Sequence, residues 1–250
     1  PGGNYRDEAT GDTNGLNILH LPESLEEAAR AQGMSPHSLM DSIEEMRRAL
    51  YSAREKRVRP LLDDKILTDW NGLAIAALAR AGRILKDANM LDAARKAAQF
   101  FLNEMVREES DRVRLLHRWR NGQAAIPGFL DDYAFLTWGL LELHKAKVQG
   151  EDWLAKAQDF VNTLEACFSS TVGLFHLSPG DGDSLPIRPL ESYDAAIPSG
   201  NSVTLHNLFT LARLTGEEKY TARAKAMLTA IGPALTRNPA GFTFVLYSLC

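Results

Sequence analysis

The feature that most constrains this chain is a helix-forming segment that recurs roughly every 65 residues, a longer period than that of the short solenoid repeats. The first copy opens with Asp69-Trp70-Asn71-Gly72-Leu73 and runs on through Ala76, Ala77, Ala79 and Leu85. The second opens with Gly128-Phe129-Leu130-Asp131-Asp132-Tyr133 and runs through Leu136, Leu140, Leu141 and Leu143. The third opens with Pro198-Ser199-Gly200-Asn201-Ser202 and runs through Leu205, Leu208, Phe209 and Leu211. Each starts with candidate N-caps (Thr68 or Asp69, Asp131 or Asp132, Ser199), whose side-chain oxygens accept from the unsatisfied N–H groups of a first helical turn. Beyond the caps the residues are almost all apolar or small. A helix of that kind is buried on nearly every face, so these read as inner helices, with Gly72 and Gly200 permitting close helix approach.

After each inner helix comes a short break and an amphipathic helix. The first spans about residues 90–105, with Leu91, Ala94, Ala98, Phe101 and Leu102 on one face and Arg95, Lys96 and Glu104 on the other. The second spans about 152–168, with Leu154, Ala157, Phe160, Val161 and Leu164 inward, and the third about 217–235, with Tyr220, Ala224, Met227, Leu228 and Ile231 inward. One apolar stripe and one charged face mean one solvated side. An earlier segment, about 35–56, fits the same outer class through Leu39, Ile43, Met46 and Leu50.

The connections back to the next inner helix are long and not helical. Residues 113–119 read as a short strand entering a turn at Asn121-Gly122. Residues 173–177, followed by Ser178-Pro179-Gly180-Asp181-Gly182, are expected to repeat that design. The cycle of inner helix, outer helix and β-like loop predicts an all-α protein, an (α/α) six-hairpin toroid with short β-like hairpins in its loops. Three inner and four outer helices make about half of such a ring. Residues 1–250 are therefore expected to be one partial toroid domain, with a further buried element beginning near Gly241-Phe242-Thr243-Phe244 and the remainder supplied by a longer parent chain.

Composition removes several classes. At 45% hydrophobic and 24% charged the chain is ordinary globular protein. Its formal net charge of −4, from 28 basic and 32 acidic residues without a basic run, argues against nucleic acid as a partner. No apolar stretch reaches the roughly 20 residues of a membrane-spanning helix, and Pro1-Gly2-Gly3-Asn4-Tyr5 does not open a secretory signal. With only Cys167 and Cys250 and no C-x-x-C pair, neither dithiol chemistry nor a thiolate metal site is expected. Cys167 reads as a small buried hydrophobe. No metal or cofactor is expected, zincin, phosphate-loop and nucleophile-elbow signatures all being absent, and the cytoplasm is the expected compartment.

The stretch Asp63-Asp64-Lys65-Ile66-Leu67-Thr68-Asp69-Trp70-Asn71-Gly72-Leu73 resembles the thioredoxin-domain-containing family related to spermatogenesis-associated protein 20 and its bacterial homologues. Gly15-Leu16-Asn17-Ile18-Leu19, Gly128-Phe129-Leu130-Asp131-Asp132-Tyr133-Ala134 and Pro198-Ser199-Gly200-Asn201-Ser202 match as well, in the same order. The resemblance implies an N-terminal thioredoxin-like domain outside these residues, followed by a toroid similar to N-acylglucosamine 2-epimerase-like and six-hairpin glycosidase folds.

In such rings the N-termini of the inner helices and the loops before them line one cleft. That gathers Asp63, Asp64, Lys65, Asp69, Trp70, Asn71, Asp131, Asp132, Tyr133, Asp194, Ser199 and Asn201, with His117, Arg118 and His176 on the loops. Glycoside hydrolysis needs one protonated and one ionised carboxyl, for which Asp69 and Asp132 are the candidates. Epimerisation beside a carbonyl needs an acid and a base poised near neutral pH, for which His117 and His176, with His206 behind them, are candidates. Trp70 and Trp119 offer stacking faces, and Asn71, Asn201 and Arg118 offer hydroxyl-binding groups. Structural readings stand beside each: helix caps for Asp69, Asp131 and Asp132, core for Trp70 and Trp138, a satisfied core histidine for His206, and an ion-pair cluster for Asp63-Asp64-Lys65. A sugar-acting enzyme with a sugar or glycan ligand and a non-catalytic binding or scaffold module both remain open from the sequence.

Overall fold

The computed structural model describes residues 3–13, 15–109, 112–182 and 185–250; Pro1 and Gly2 of the opening stretch lie outside them. The chain forms two compact units, residues 1–63 and 64–250. The first holds helices α1 (Leu25–Ala31) and α2 (Pro36–Arg54). Ser24 and Glu27 form a reciprocal capping box on α1, and Ser35 caps α2 through the Ser38 N–H. The helix expected over 35–56 as an outer one is present as α2, but it packs on α1 within the first unit. It buries no residue, leaving Met46 and Leu50 exposed on the face that the sequence assigned to packing.

The second unit carries the repeat. Inner helices α3 (Thr68–Leu85), α5 (Leu130–Lys145) and α7 (Gly200–Thr215) alternate with outer helices α4 (Ala88–Glu104), α6 (Trp153–Phe168) and α8 (Glu218–Arg237). A 3-10 turn at Pro239–Phe242 leads into α9 (Thr243–Leu249), where the sequence predicts a further buried element; only Val245 and Ser248 of its seven residues are buried, and Leu246, Tyr247 and Leu249 are exposed. Each inner helix packs on the next, α3 on α5, α5 on α7 and α7 on α9, while α4, α6 and α8 back onto their preceding inner helices. Twelve of the 16 residues of α5 and eleven of the 16 of α7 are buried, as an all-round apolar sequence requires. Helix α3 departs from this: only six of its 18 residues are buried, and Trp70, Ile84 and Leu85 are exposed.

Close approach is built into the inner layer. A Cβ on Gly72 would stand 2.5 Å from Leu136 N and Phe135 C, so α3 meets the backbone of α5 at a position that excludes any larger residue. The core lies between the layers, where the Tyr133 ring packs edge-on against Phe160 and Phe168 at 5.9 and 5.3 Å.

Among the described residues four short strands follow the loops: β1 (Ile66–Leu67), β2 (Val106–Glu108), β3 (Val113–Arg120) and β4 (Gln123–Pro127). All three others pair antiparallel with β3. Asn121 and Gly122 have φ of 52° and 75°, the left-handed pair that a tight two-residue hairpin turn demands. The second loop does not repeat this hairpin. Around residues 173–177 a single bridge, Ser169 to Phe175, replaces the strand, and the backbone there is tied down by side chains instead. No helix among the described residues is long and apolar enough to cross a membrane.

Candidate functional site

The N-terminal ends of the inner helices are stitched to one another by aspartates, and this brings the chemistry together. Helix α5 begins after Phe129, with Asp132 at its third position, where its Oδ2 accepts from the Phe129 N–H at 2.7 Å. Its Oδ1 accepts from the Asp69 N–H at 3.0 Å, so one carboxylate serves the first turns of both α5 and α3. The first turn of α3 has no side-chain cap of its own, Leu67 occupying the N-cap position. Sequence reasoning placed caps at Thr68 or Asp69 and at Asp131 or Asp132. The structure shifts both helix starts to a hydrophobic residue and assigns the acceptor to Asp132 across the helix pair.

Asp131 faces the other neighbour. A Cβ on Gly200 would collide with Asp131 Oδ1 and approach Leu130 Cγ to 2.7 Å, so α5 and α7 meet at their N-terminal ends. Ser199 caps α7 by accepting from the Ser202 N–H at 3.1 Å. Asp194 then ties α7 to α9, its Oδ1 accepting from the Ser199 N–H at 3.0 Å and its Oδ2 from the Phe244 N–H at 2.8 Å.

Against this row of helix ends lies β3, and its position is fixed at three points. The buried Tyr133 hydroxyl accepts from the Leu115 N–H at 2.8 Å, the Gly128 N–H donates to the Leu115 carbonyl at 2.7 Å, and Thr68 Oγ1 donates to the Leu116 carbonyl at 2.6 Å. The next residue is His117. Its Nδ1 lies 2.9 and 3.0 Å from the two oxygens of Asp132, and its ring meets Phe129 edge-on at 5.2 Å. Asp132 is fully buried, whereas the His117 side chain is 21% exposed.

This pairing sets the electrostatics. The bond to Asp132 lifts the His117 imidazole above its ordinary range, against the opposing effect of burial. Burial pushes the Asp132 carboxyl up, opposed by the hydrogen bonds it receives from His117 and the Phe129 N–H. The two together therefore hold a shared proton strongly. With Nδ1 committed to Asp132, Nε2 is the ring atom left for exchange with a ligand. Burial also pushes the Asp131 carboxyl up to about 7; the charges of Asp132, Asp69 and Glu191 add to the rise and the Gly200 N–H opposes it. A carboxyl raised to about 7 and a histidine raised above its ordinary range thus lie at the same helix end.

The remaining residues anticipated from the sequence divide by what they touch. Asp69, His117 and Asp132 each offer an atom within 4.8 Å of the others, a spacing that would suit a metal, although an ion there would have to displace the His117–Asp132 bond. Trp70 is 64% exposed. Asp64 pairs with Arg120 at 2.6 Å, Lys65 is exposed just before β1, and Arg118 is half-buried with no partner for its Nε. Asn71 donates to the Leu67 carbonyl at 2.8 Å, and the His176 Nδ1 lies 3.0 Å from the Arg188 carbonyl.

Two candidates turn out to be struts. Tyr133 holds β3, as described. Asn201 accepts from the Phe175 N–H and donates to the Phe175 and Glu191 carbonyls, pinning the loop that failed to become a hairpin. Trp119 packs edge-on against Phe100 at 5.6 Å, so its ring belongs to the sheet–helix contact. Cys167 is buried as expected, but its environment is polar, with guanidinium groups of Arg112 and Arg114 at 3.1 and 3.4 Å from the sulfur. Glu191 and Asp194, which bear on Asp131 and on α9 respectively, carry no sequence pattern that would have singled out those roles.

No family model matches the chain. Over 245 residues, 94% of the chain, it is 31% identical to spermatogenesis-associated protein 20 of Rattus norvegicus, and over 237 residues 32% identical to the Homo sapiens protein of that name. This chain is a homologue of spermatogenesis-associated protein 20. It spans about a third of the length of these relatives, 31% and 30% respectively. Among solved structures, a cellobiose 2-epimerase from Spirochaeta thermophila superposes with a TM-score of 0.54 at 15% identity, over 67% of this chain and 43% of that one. A glycoside hydrolase family 76 mannosidase from Bacteroides thetaiotaomicron superposes with a TM-score of 0.55 at 17% identity, over 69% of this chain and 45% of that one. At those identities the likeness establishes the fold, the (α/α) toroid of glycosidases and epimerases, and leaves the activity to be argued from the site.

Proposed function

We propose that the toroid unit acts on a sugar by proton transfer, with His117 as the acid–base group, Asp132 as the residue that orients it, and Asp131 as a second proton donor. The observation that carries this reading is the bond between His117 Nδ1 and the fully buried Asp132, at 2.9 Å. An imidazole fixed in this way has one tautomer and one direction for its other nitrogen, which is what a base acting on carbon needs. In such a reaction the base removes the proton from the carbon beside a sugar carbonyl. The electron pair moves to the carbonyl oxygen, which takes a proton from a neutral acid; water then delivers a proton to the opposite face of the carbon, inverting it, while the enediol O–H gives its proton back to the acid's conjugate base and His117 releases its own to solvent. Asp131, neutral in part at pH 7, is suited to be that acid. Trp70 supplies a stacking face, and Arg118 and Asn71 polar contacts. That the fold is shared with solved structures named for sugar epimerisation and mannoside hydrolysis supports a sugar as the substrate class. Closing the cleft is assigned to sequence beyond these residues, since the chain covers less than half of each toroid it matches.

A hydrolase reading has one observation in its favour: a carboxyl held near 7, Asp131, close enough to Asp69 to feel its charge. In that reading Asp131 is the acid and Asp69 the base or nucleophile, not Asp132, whose oxygens already accept three hydrogen bonds.

The test is incubation of the full-length protein with a panel of aldoses and β-linked disaccharides in deuterated water. Deuterium appearing at carbon 2, and lost in His117→Gln, is the expected result. Release of monosaccharide without exchange would favour the hydrolase reading. Neither exchange nor release, with ligand binding retained, would leave a binding module.

A further inference from the structure

At the C-terminal ends of the inner helices, opposite to the His117–Asp132 pair, lies a cavity of about 430 Å³. Its charge is one-sided. Arg80 and Arg83 from α3, Lys145 from α5 and Arg213 from α7 line it, and Glu142 is the one carboxylate side chain among its lining residues. Glu142 is shared, with Lys145 at 2.9 Å and Arg83 at 3.8 Å. Arg80 hydrogen-bonds to the Tyr247 hydroxyl, and Arg213 donates to the Phe209 carbonyl at 3.3 Å. Helix C-termini favour cations one at a time, but that preference does not explain the polar groups between them. His206 lines the cavity at 7% exposure, and neither of its ring nitrogens has a hydrogen-bond partner. The Thr210 hydroxyl beside it has none either. The sequence suggested a satisfied core histidine; the structure gives a buried histidine that is unsatisfied, its ring stacked on Tyr247 at 5.5 Å and meeting Trp138 and Phe244 edge-on.

Buried polar atoms without protein partners are rare in folded proteins, and each calls for an explanation, of which a bound group is one. Here the missing group must satisfy two demands. It needs negative charge for four cations of which only Lys145 and Arg83 pair with Glu142, and it needs hydroxyls for an imidazole, an alcohol and the Glu142 Oε2, which accepts no hydrogen bond. Burial, with Lys145, Arg213 and Arg80 nearby and only Glu142 opposing, holds the His206 imidazole down at about 4, so it is neutral and offers one donor and one acceptor. A neutral imidazole matches a hydroxyl better than a second anion. The volume lies within the ordinary range for small-molecule sites, roughly 300–1,000 Å³, and is larger than a bare phosphate requires.

We propose that this cavity binds a small phosphate monoester with a hydroxylated body, the phosphate held by the basic residues of α3, α5 and α7 and the hydroxyls by His206 and Thr210. The site is separate from the His117–Asp132 pair and stands whether or not that pair is catalytic. Isothermal titration of the protein with glucose 6-phosphate, inorganic phosphate and glucose at constant ionic strength tests it. Glucose 6-phosphate is expected to saturate and to bind at least tenfold more tightly than inorganic phosphate, with no heat from glucose. Arg213→Gln and Lys145→Gln should each weaken the phosphate probes about tenfold, His206→Phe should weaken glucose 6-phosphate more than inorganic phosphate, and His117→Gln should change neither. The inference is overturned if no phosphate probe saturates, if glucose 6-phosphate and inorganic phosphate bind equally, or if binding survives both charge variants in folded protein.

Discussion

Replacing Asp131 by Asn should make the protein more stable at neutral and alkaline pH while impairing whatever proton transfer it performs. In the folded protein the carboxyl is raised to about 7 by burial and by the neighbouring carboxylates, whereas in the unfolded chain it titrates near its ordinary value of about 3.9. The folded state thus keeps a proton that the unfolded state gives up. Stability is highest below about pH 4, falls as pH rises, and levels off above the folded value. Three units at about 1.4 kcal/mol each set the total near 4 kcal/mol; exposure of part of the side chain argues for roughly 2–4 kcal/mol. Asn retains an oxygen to accept the Gly200 N–H but cannot ionise. Urea unfolding midpoints of both proteins, measured from pH 4 to pH 8, provide the assay. The raised His117 also costs stability as pH climbs, since its contribution is present below about 6.5 and lost through the folded value, but it does so in both proteins and cancels in the difference. The gap between variant and wild type should be near zero at pH 4 and reach its full size by pH 8. A gap independent of pH, or a variant less stable at pH 8, would refute the reasoning.

Three further outcomes follow from individual contacts. Asp132→Ala removes the acceptor of the Phe129 N–H, the Asp69 N–H and His117, and should cost about 3 kcal/mol or more in denaturant unfolding, because each buried donor left unpaired costs roughly 1–3 kcal/mol. Gly72→Ala forces α3 away from the backbone of α5 and should lower stability by about 1–3 kcal/mol, the usual range for overpacking; an unchanged melting temperature would contradict the close approach. Asn201→Ala releases the loop carrying Phe175, so amide exchange at Phe175 should accelerate while the Ser202 amide, capped by Ser199, stays protected.

Much of the fold was legible because burial writes itself into helical periodicity. The all-round apolar character of residues 130–145 and 200–215 marked α5 and α7 as inner helices, and Asn121-Gly122 announced the β3–β4 turn. What periodicity does not encode is which neighbour a polar side chain reaches. Asp132 reads as a local cap, yet it spans to α3 and to β3. Asn201 and Tyr133 read as polar groups in a cleft, yet they fasten backbone that a regular strand would otherwise have satisfied. The second hairpin failed for a related reason: Phe175 takes its hydrogen bonds from Asn201 rather than from a partner strand. His117 and Asp132 were both singled out from sequence, but as members of two different mechanisms. Their pairing is a tertiary fact, set by the anchoring of Leu115 and Leu116 just before His117.

The central claim is that Asp132 holds His117 as an acid–base group. The most direct measurement is an NMR pH titration of the His117 ring nitrogens in the wild-type protein and in Asp132→Asn. The account predicts a wild-type pKa above the ordinary value of about 6.5, with the proton on Nδ1 in the neutral form, and a clear fall in the variant. A wild-type pKa at or below 6.5, or one that Asp132→Asn leaves unchanged, would contradict it.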